Sequence, residues 1–367
     1  MKRFLNQDKV LDAIVPTTFI VLCIVGVVYS NQPLPFILNS IIERMGRNCF
    51  LVVSLLIPVI AGIGLNFSIV VGAMAAQIGY IFAIDWGLGG IAGIGVATAV
   101  ATPLALGFGY LVGQLFNRAK GREMVTGIIT GFFANGIYQM VFLFAAGTLF
   151  TIHTAEMLLP RGSDEAGNPI QFGLRNTINL ASVQYALDDL IPVPPVGGLV
   201  IPLFPFILIA LVCIFVVLFK KTKLGQEMKA MGLNQHIAEV SGIHVNKNRV
   251  IATILSTVMA AWGQIIFLQN MGTINTYSSH EQVGMFAIAA LLVSGASVNK
   301  ASIWNALFGT LLFHTLFFTS PLAGKNIFGE PHLGEYFRVF IAYGVIGVAL
   351  AMHTWKTHQK AKKTQVP

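Results

Sequence analysis

An all-α polytopic membrane protein is the fold class this sequence predicts, and three observations carry the prediction. Of the 367 residues, 55% are hydrophobic and only 10% are charged, whereas soluble domains carry about 25% charged residues. Apolar runs of about 17 to 25 residues recur along the chain, each enough to cross a hydrocarbon core about 30 Å thick. The runs are continuous instead of alternating, which selects helices over strands. Inside lipid only helices or closed barrels satisfy their own backbone.

Ten spans follow, at approximately 13–30, 49–65, 68–84, 89–116, 124–150, 199–219, 250–271, 283–298, 302–319 and 336–355. The first follows the basic start MKRFLNQDK, but no small-residue cleavage site succeeds it, so a retained span is expected. Residues Pro35 to Met45 read as a short interfacial helix ahead of the second span. The fourth and fifth spans are long and Gly-rich, which admits tilt or breaks. Residues 1–355 thus form one transmembrane domain, interrupted by a polar outer loop (151–198) and a polar segment (220–249), with a basic tail at 356–367.

The basic residues orient the bundle. With the N-terminus inside, 17 of the 23 Lys and Arg fall in cytoplasmic segments, clustered at Lys2–Lys9, Arg118–Arg122, Lys220–Arg249, Lys300 and Lys356–Lys363. This asymmetry predicts both termini in the cytoplasm. It also reads the net charge of +8 as topology instead of nucleic-acid binding. The outer loop runs through RGSDEAGNP (turn), NTINLASVQYALDDL (short helix) and IPVPPVGG (a stiff return to the membrane). It is longer than a plain connector requires, which leaves two readings open: a docking or lid role, or an elaborated loop without function. The three cysteines lie in or beside apolar runs, which argues against a disulfide framework.

Several chemistries are excluded. There is no GxxxxGK[ST] loop to hold ATP phosphates. GLGGIA (Gly87–Ala92) fits the dinucleotide fingerprint in letters, but no strand precedes it and no acidic ribose partner follows. It reads as small-residue helix packing. No metal-ligand spacing and no nucleophile–base pair is present, so no cofactor and no catalysis are expected of this chain. Ionisable residues are nearly missing from the spans: Asp85, Glu281 and Arg338 fall at predicted ends, and only His314 well inside. Proton carriers and pumps use such groups, and His314 alone reads as a packing residue.

The polar interior positions are uncharged: Asn66, Ser68, Gln77, Asn135, Tyr138, Gln139, Gln264, Gln269 and Ser294. They suit a pathway for a neutral polar solute, or they join helices by hydrogen bonds. Asn66 and Ser68 stand apart, at a glycine-flanked kink where unwound backbone can line a cavity. The polar insert KAMGLNQHIAEVSGI (Lys229–Ile243) is the other anomaly. Gly232 is expected to end a helix in a left-handed cap, and Asn234 to N-cap a new helix over Gln235–Val240 that Gly242 closes. Such a helix exposes Ile237 and Val240. It is too short to be stable alone, so it needs a partner.

The stretch LGQEMKAMGLNQHIAEVSGIHVNKNRVIATILSTVMAAWGQI resembles the signature of ABC-transporter permeases of the branched-chain amino acid and simple-sugar (ribose-type, nucleoside-type) importer family. Gly225, Lys229, Ala230, Gly232, Asn234, Ala238, Gly242, Ile243, Ser256 and Gly263 stand at matching places, and Gln235 departs where proline is frequent. GLNFSIVVGAMAA (Gly64–Ala76) and SGASVNKASIWNALFGTLL (Ser294–Leu312) resemble two further family segments. The resemblance implies a multi-pass permease of the bacterial cytoplasmic (inner) membrane. Its implied partners are two cytoplasmic ATPases that bind ATP, a second permease, identical or related, and an extracytoplasmic solute-binding protein. It assigns ATPase coupling to Lys229, Gly232, Leu233, Asn234, Ile237, Ala238, Val240 and Gly242. The expected solute pathway is Asn66, Ser68, Gln77, Asn135, Gln139 and Gln264. A neutral lining favours a sugar or nucleoside. Branched-chain amino acids, riboflavin and an ion-coupled secondary transporter remain open alternatives.

Overall fold

A computed structural model describes residues 2–163, 169–195 and 197–340 and the single positions 343, 344, 347 and 351, with side chains from residue 15 onward except at 169. The predicted basic tail at 356–367 and most of the tenth predicted span lie outside the described residues.

Twelve named helices follow one another: α1 (Lys2–Ser30), α2 (Leu34–Ser54), α3 (Leu56–Ile60), α4 (Ile69–Asp85), α5 (Gly90–Arg118), α6 (Glu123–Phe144), α7 (Leu203–Phe219), α8 (Lys223–Leu233), α9 (Gln235–Val240), α10 (Val245–Met271), α11 (Ser279–Val293) and α12 (Ile303–Phe328). Residues 331–340 are helical as well. Four helices among the described residues, α5, α6, α10 and α12, are long and apolar enough to cross a membrane. The pair α7 and α8, bent by 75°, passes the same criterion together, and α4, α11 and Val15–Ser30 are shorter apolar helices. The chain is a helical polytopic membrane protein.

Helix α10 is the centre of the bundle and packs against α2, α4 and α5. In lipid no hydrophobic force drives helices together, so close backbone approach through small residues must do it. A Cβ on Gly72 of α4 would stand 2.4 Å from the Thr257 carbonyl, and one on Gly263 would stand 3.0 Å from the Leu51 Cα. Apolar side chains such as Ile129, Phe132, Phe133 and Met140 point outward from α6, as expected of a surface that faces lipid tails.

Two predicted elements differ from the structure. Pro35–Met45 is not a separate interfacial helix but the first part of α2. No breaker separates it from the following residues, since Gly46 is buried inside the helix and lies against Pro202 and Pro205. The segment Asn176–Leu190 is not helical: Thr177–Asn179 forms β3, antiparallel to β4 (Thr273–Asn275), and turns follow. The ladder offered by the α10–α11 connection outweighs local helix propensity there. A second ribbon, β1 (Leu158–Ser163) with β2 (Pro169–Leu174), lies in the 151–198 loop.

Candidate functional site

The α8–α9 elbow is built from local rules. Thr222 caps α8 by accepting from Gly225 N at 3.1 Å, and Asn234 caps α9 by accepting from Ile237 N at 3.1 Å. Gly242, with φ 83°, takes the left-handed conformation after α9. Ala238 is buried, while Leu233, Ile237 and Val240 are 82%, 62% and 78% exposed. Three apolar side chains therefore stand in the open on a polar segment. Lys229 lies close enough to matter electrostatically for Lys220, whose pKa is lowered first by partial burial and then by that charge.

Gly232 does not end α8 in a left-handed cap, as the sequence suggests. It lies inside the helix, and the C-cap is Asn234 in extended backbone. Its reason is tertiary: a Cβ there would stand 2.3 Å from the Ile60 carbonyl oxygen, and a Cβ on Gly62 would stand 2.6 Å from the Gly232 Cα. The end of α8 thus lies backbone to backbone on the start of the interruption between α3 and α4.

That interruption, Ala61–Ser68, is non-helical and buried except for a partly covered Gly62, with Gly62 and Gly64 at φ 71° and 91°. Asn66 organises it. Its Oδ1 accepts from Ser68 N at 3.1 Å and Ser68 Oγ at 2.5 Å, while its Nδ2 donates to Ser256 Oγ of α10 at 3.3 Å. Buried polar groups are costly unless paired, and here each side chain satisfies the next.

Deeper in the bundle, His280 of α11 joins two expected pathway residues. Its Nδ1 is 2.8 Å from Gln77 Oε1 and its Nε2 is 2.9 Å from Asn135 Oδ1. Asn135 Nδ2 donates to Glu281 Oε1 at 2.5 Å, so Asn135 must accept from His280 Nε2–H. A neutral imidazole then has only an acceptor left at Nδ1. Turning the Gln77 amide over supplies the donor and gives a partner to its Nε2, which otherwise has none. The Tyr138 ring packs 5.1 Å from the His280 ring, and its hydroxyl is buried without a partner. Both amide atoms of fully buried Gln264 also lack a partner. Gln139 is half-buried and takes no part in this network.

His280 was not legible as an interior residue, because TYSSHEQ reads as a polar loop and its partners lie 203 and 145 residues away in the chain. The same holds for Arg249, which the sequence assigns only to a basic segment. It is fully buried at the base of α10, where Nη2 donates to Glu123 Oε1 at 2.5 Å and the Phe116 carbonyl at 2.9 Å, and Nε to Asn117 Oδ1 at 3.1 Å. Next to it, Asn248 Nδ2 donates to Glu227 Oε2 of α8 at 2.9 Å.

The opposite end of the bundle carries the 151–198 loop. Asp85, the last residue of α4, accepts from the backbone N–H groups of His153 at 2.6 Å and Thr154 at 2.9 Å, and its other oxygen lies 3.0 Å from His153 Nδ1. Asp188 accepts from Gln269 Nε2 at 2.9 Å and Asn270 Nδ2 at 2.7 Å, and Arg47 donates to Asn270 Oδ1 at 2.9 Å. His314 is buried in α12 beside Phe313 and Phe317.

Known proteins resemble this chain over parts of its length. The "Autoinducer 2 import system permease protein LsrC" of Yersinia enterocolitica is 27% identical over 215 residues, 59% of this chain and 54% of that protein. The "Nucleoside ABC transporter permease protein NupB" of Lactococcus lactis is 27% identical over 101 residues, 27% of this chain and 26% of that protein. The "Probable ABC transporter permease protein YphD" of Escherichia coli is 29% identical over 111 residues, 30% of this chain and 33% of that protein. The chain thus spans about half or less of the length of these relatives. No solved structure matches it. Together with the apolar helices, the likeness to permeases marks a multi-pass inner-membrane protein. Residues 48–349 match the family model described as the branched-chain amino acid transport system permease component, and the chain belongs to that family.

Proposed function

We propose that this chain is the membrane-spanning permease subunit of a binding-protein-dependent ABC importer, moving a small neutral polar solute such as a sugar or nucleoside. In this reading ten spans place both termini in the cytoplasm, and the α8–α9 elbow faces the cytoplasm as the coupling segment. The chain performs no catalysis itself. Two partner ATPases bind and hydrolyse ATP, a second permease completes the pathway, and an extracytoplasmic binding protein delivers solute to the outer loop.

The observation that carries the reading is the Asn234-capped α9 with Leu233, Ile237 and Val240 exposed beside it. A six-residue helix is marginal by itself, and exposed apolar side chains on a polar surface favour a protein contact. The solute class is supported by the neutral side chains of Asn66, Ser68, Gln77 and Gln264 in the interior and by relatives named for import of autoinducer 2 and of nucleosides. Tyr138 Oη and the Gln264 amide have hydrogen-bonding capacity that the described protein groups leave unused. Neutral groups of this kind exchange hydrogen bonds with a passing hydroxyl-rich solute without binding an ion.

The test is purification of the chain from its host through an affinity tag. An ABC ATPase should co-purify with the native chain and be lost from Ile237→Asp and Val240→Asp. The co-purifying binding protein should carry a sugar or nucleoside, read by mass spectrometry. Uptake by the chain alone under a sodium or proton gradient, with no ATPase, would refute the proposal.

A further inference from the structure

We propose that the α7–α8 junction is a binding site for an anionic phospholipid, its phosphate held by Lys220, Lys221 and Lys223 and an acyl chain laid along the exposed face of α7. The site requires α7 to lie in the membrane and does not depend on the importer reading. The orientation proposed above places it in the cytoplasmic leaflet.

The junction is fixed by its own hydrogen bonds. Thr222 Oγ1 donates to the Phe219 carbonyl at 2.7 Å while accepting from Gly225 N, and Gln226 Nε2 donates to the Lys220 carbonyl at 2.8 Å. These bonds serve carbonyls at the end of α7 that no further helical turn can reach. A Cβ at Gly225 would collide with the Phe219 carbonyl oxygen, so glycine permits the close approach. The result is a bend of 75°. With α7 crossing the membrane, α8 leaves it close to the membrane plane, and the three lysines stay where α7 emerges from the hydrocarbon.

The positive charge there is uncompensated. Between residues 220 and 238 the chain has four lysines and one carboxylate, Glu227. That carboxylate is already engaged: Oε2 accepts from Asn248 Nδ2 at 2.9 Å, and Oε1 lies 4.0 Å from Lys223 Nζ. Among the described residues Lys220, Lys221 and Lys229 form no ion pair. Of the helices packed against α8, α3 and α10 contain no Asp or Glu, and α9 brings only Glu239, near its far end. A cluster of lysines beside a membrane-crossing helix favours anionic lipid by about fivefold in affinity per lysine.

The face of α7 that leads to the cluster makes this a lipid site instead of a solvated basic patch. Ile207, Leu211, Ile214 and Leu218 are exposed along one side of the helix, while Ile209, Val212, Val216 and Phe219 are buried on the other. Lys221 continues the exposed row one turn beyond Leu218, and its N–H still bonds the Leu218 carbonyl. The apolar row is about 16 Å long at 1.5 Å per residue, about the depth of one leaflet of a 30 Å hydrocarbon core. It is an apolar track that ends in cations, the same order in which a phospholipid joins its chain to its phosphate. A soluble phosphate would use the lysines and leave the track bare.

Native mass spectrometry of the tag-purified protein, titrated with dioleoylphosphatidylglycerol or dioleoylphosphatidylcholine, tests the site. The native protein should bind the anionic lipid at least about tenfold more tightly than the zwitterionic one. Lys220→Gln, Lys221→Gln and Lys223→Gln combined should weaken binding of the anionic lipid by at least about twentyfold and leave the zwitterionic one within about twofold. Arginine at the same three positions should keep the preference. Lys221→Gln alone, at an exposed position, should cost about fivefold and decides the matter if the triple variant fails to fold. Glycerol 3-phosphate, the head without the tails, should not displace the lipid at equal concentration. Equal binding of the two lipids by the native protein, the result expected if another protein subunit covers α7, overturns the site. So does a preference that survives the glutamine substitutions. Displacement by glycerol 3-phosphate overturns the lipid in favour of a soluble phosphate.

Discussion

The feet of α4 and α10 lie next to the same elbow yet are made of opposite materials. Arg249 anchors α10 with three donated hydrogen bonds and no exposure. The foot of α4 is a glycine-containing coil held by one asparagine and two serines. An ion pair inside a bundle is a poor source of net stability but a strong constraint on geometry, since removing one partner strands the other. The neutral Asn66 cluster constrains less and can be rearranged at lower cost. The contrast assigns rigidity to one helix and compliance to its neighbour.

Substitutions can break or sharpen that contrast, and the largest effect belongs to the locked foot. Arg249→Met should destabilise the protein by about 3–5 kcal/mol, because it strands the Glu123 carboxylate. Thermal melting in detergent should show it as the most damaging of the set. Asn66→Ala should cost about 1–3 kcal/mol, the expense of leaving Ser68 and Ser256 unpaired. A cost equal to that of Arg249→Met would mean the two feet are equally rigid. At the elbow, Asn234→Ala should lower stability by about 1 kcal/mol through loss of the α9 cap. Loss of helical order confined to 234–241 in hydrogen exchange would confirm the site of the effect. Ile237→Asp should move stability by no more than about 0.5 kcal/mol, since the side chain is 62% exposed. Uptake by the same variant should nevertheless fall by about tenfold or more if the residue anchors a partner, measured with labelled solute in cells.

What the sequence made legible depended on distance along the chain. Helix α9 could be read because its cap links Asn234 to Ile237, three residues on. The kink at Asn66–Ser68 could be read because glycines flank it within four residues. Gly232 was assigned by the same local rule and misread, because backbone packing against Ile60 and Gly62 takes precedence over capping. Asn176–Leu190 was misread because its strand partner lies after α10. The interior pairing of His280 with Gln77 and Asn135 depends on three helices meeting, and no periodicity within any one of them encodes it. Apolar runs reveal which segments lie in lipid. They are silent about which polar residues face each other there.

The lock at Arg249 also sets an order of assembly. Glu123 leaves the ribosome 126 residues before its partner does, a delay of roughly 6 to 25 s at about 5–20 residues per second. Throughout that interval the Glu123 carboxylate waits for its guanidinium partner, although α5 and α6 already have α4 to pack against. Insertion of α10 is thus the step that supplies the guanidinium at the α5–α6 turn, and a nascent protein stalled before residue 249 should leave that turn more open to added protease than the finished protein does.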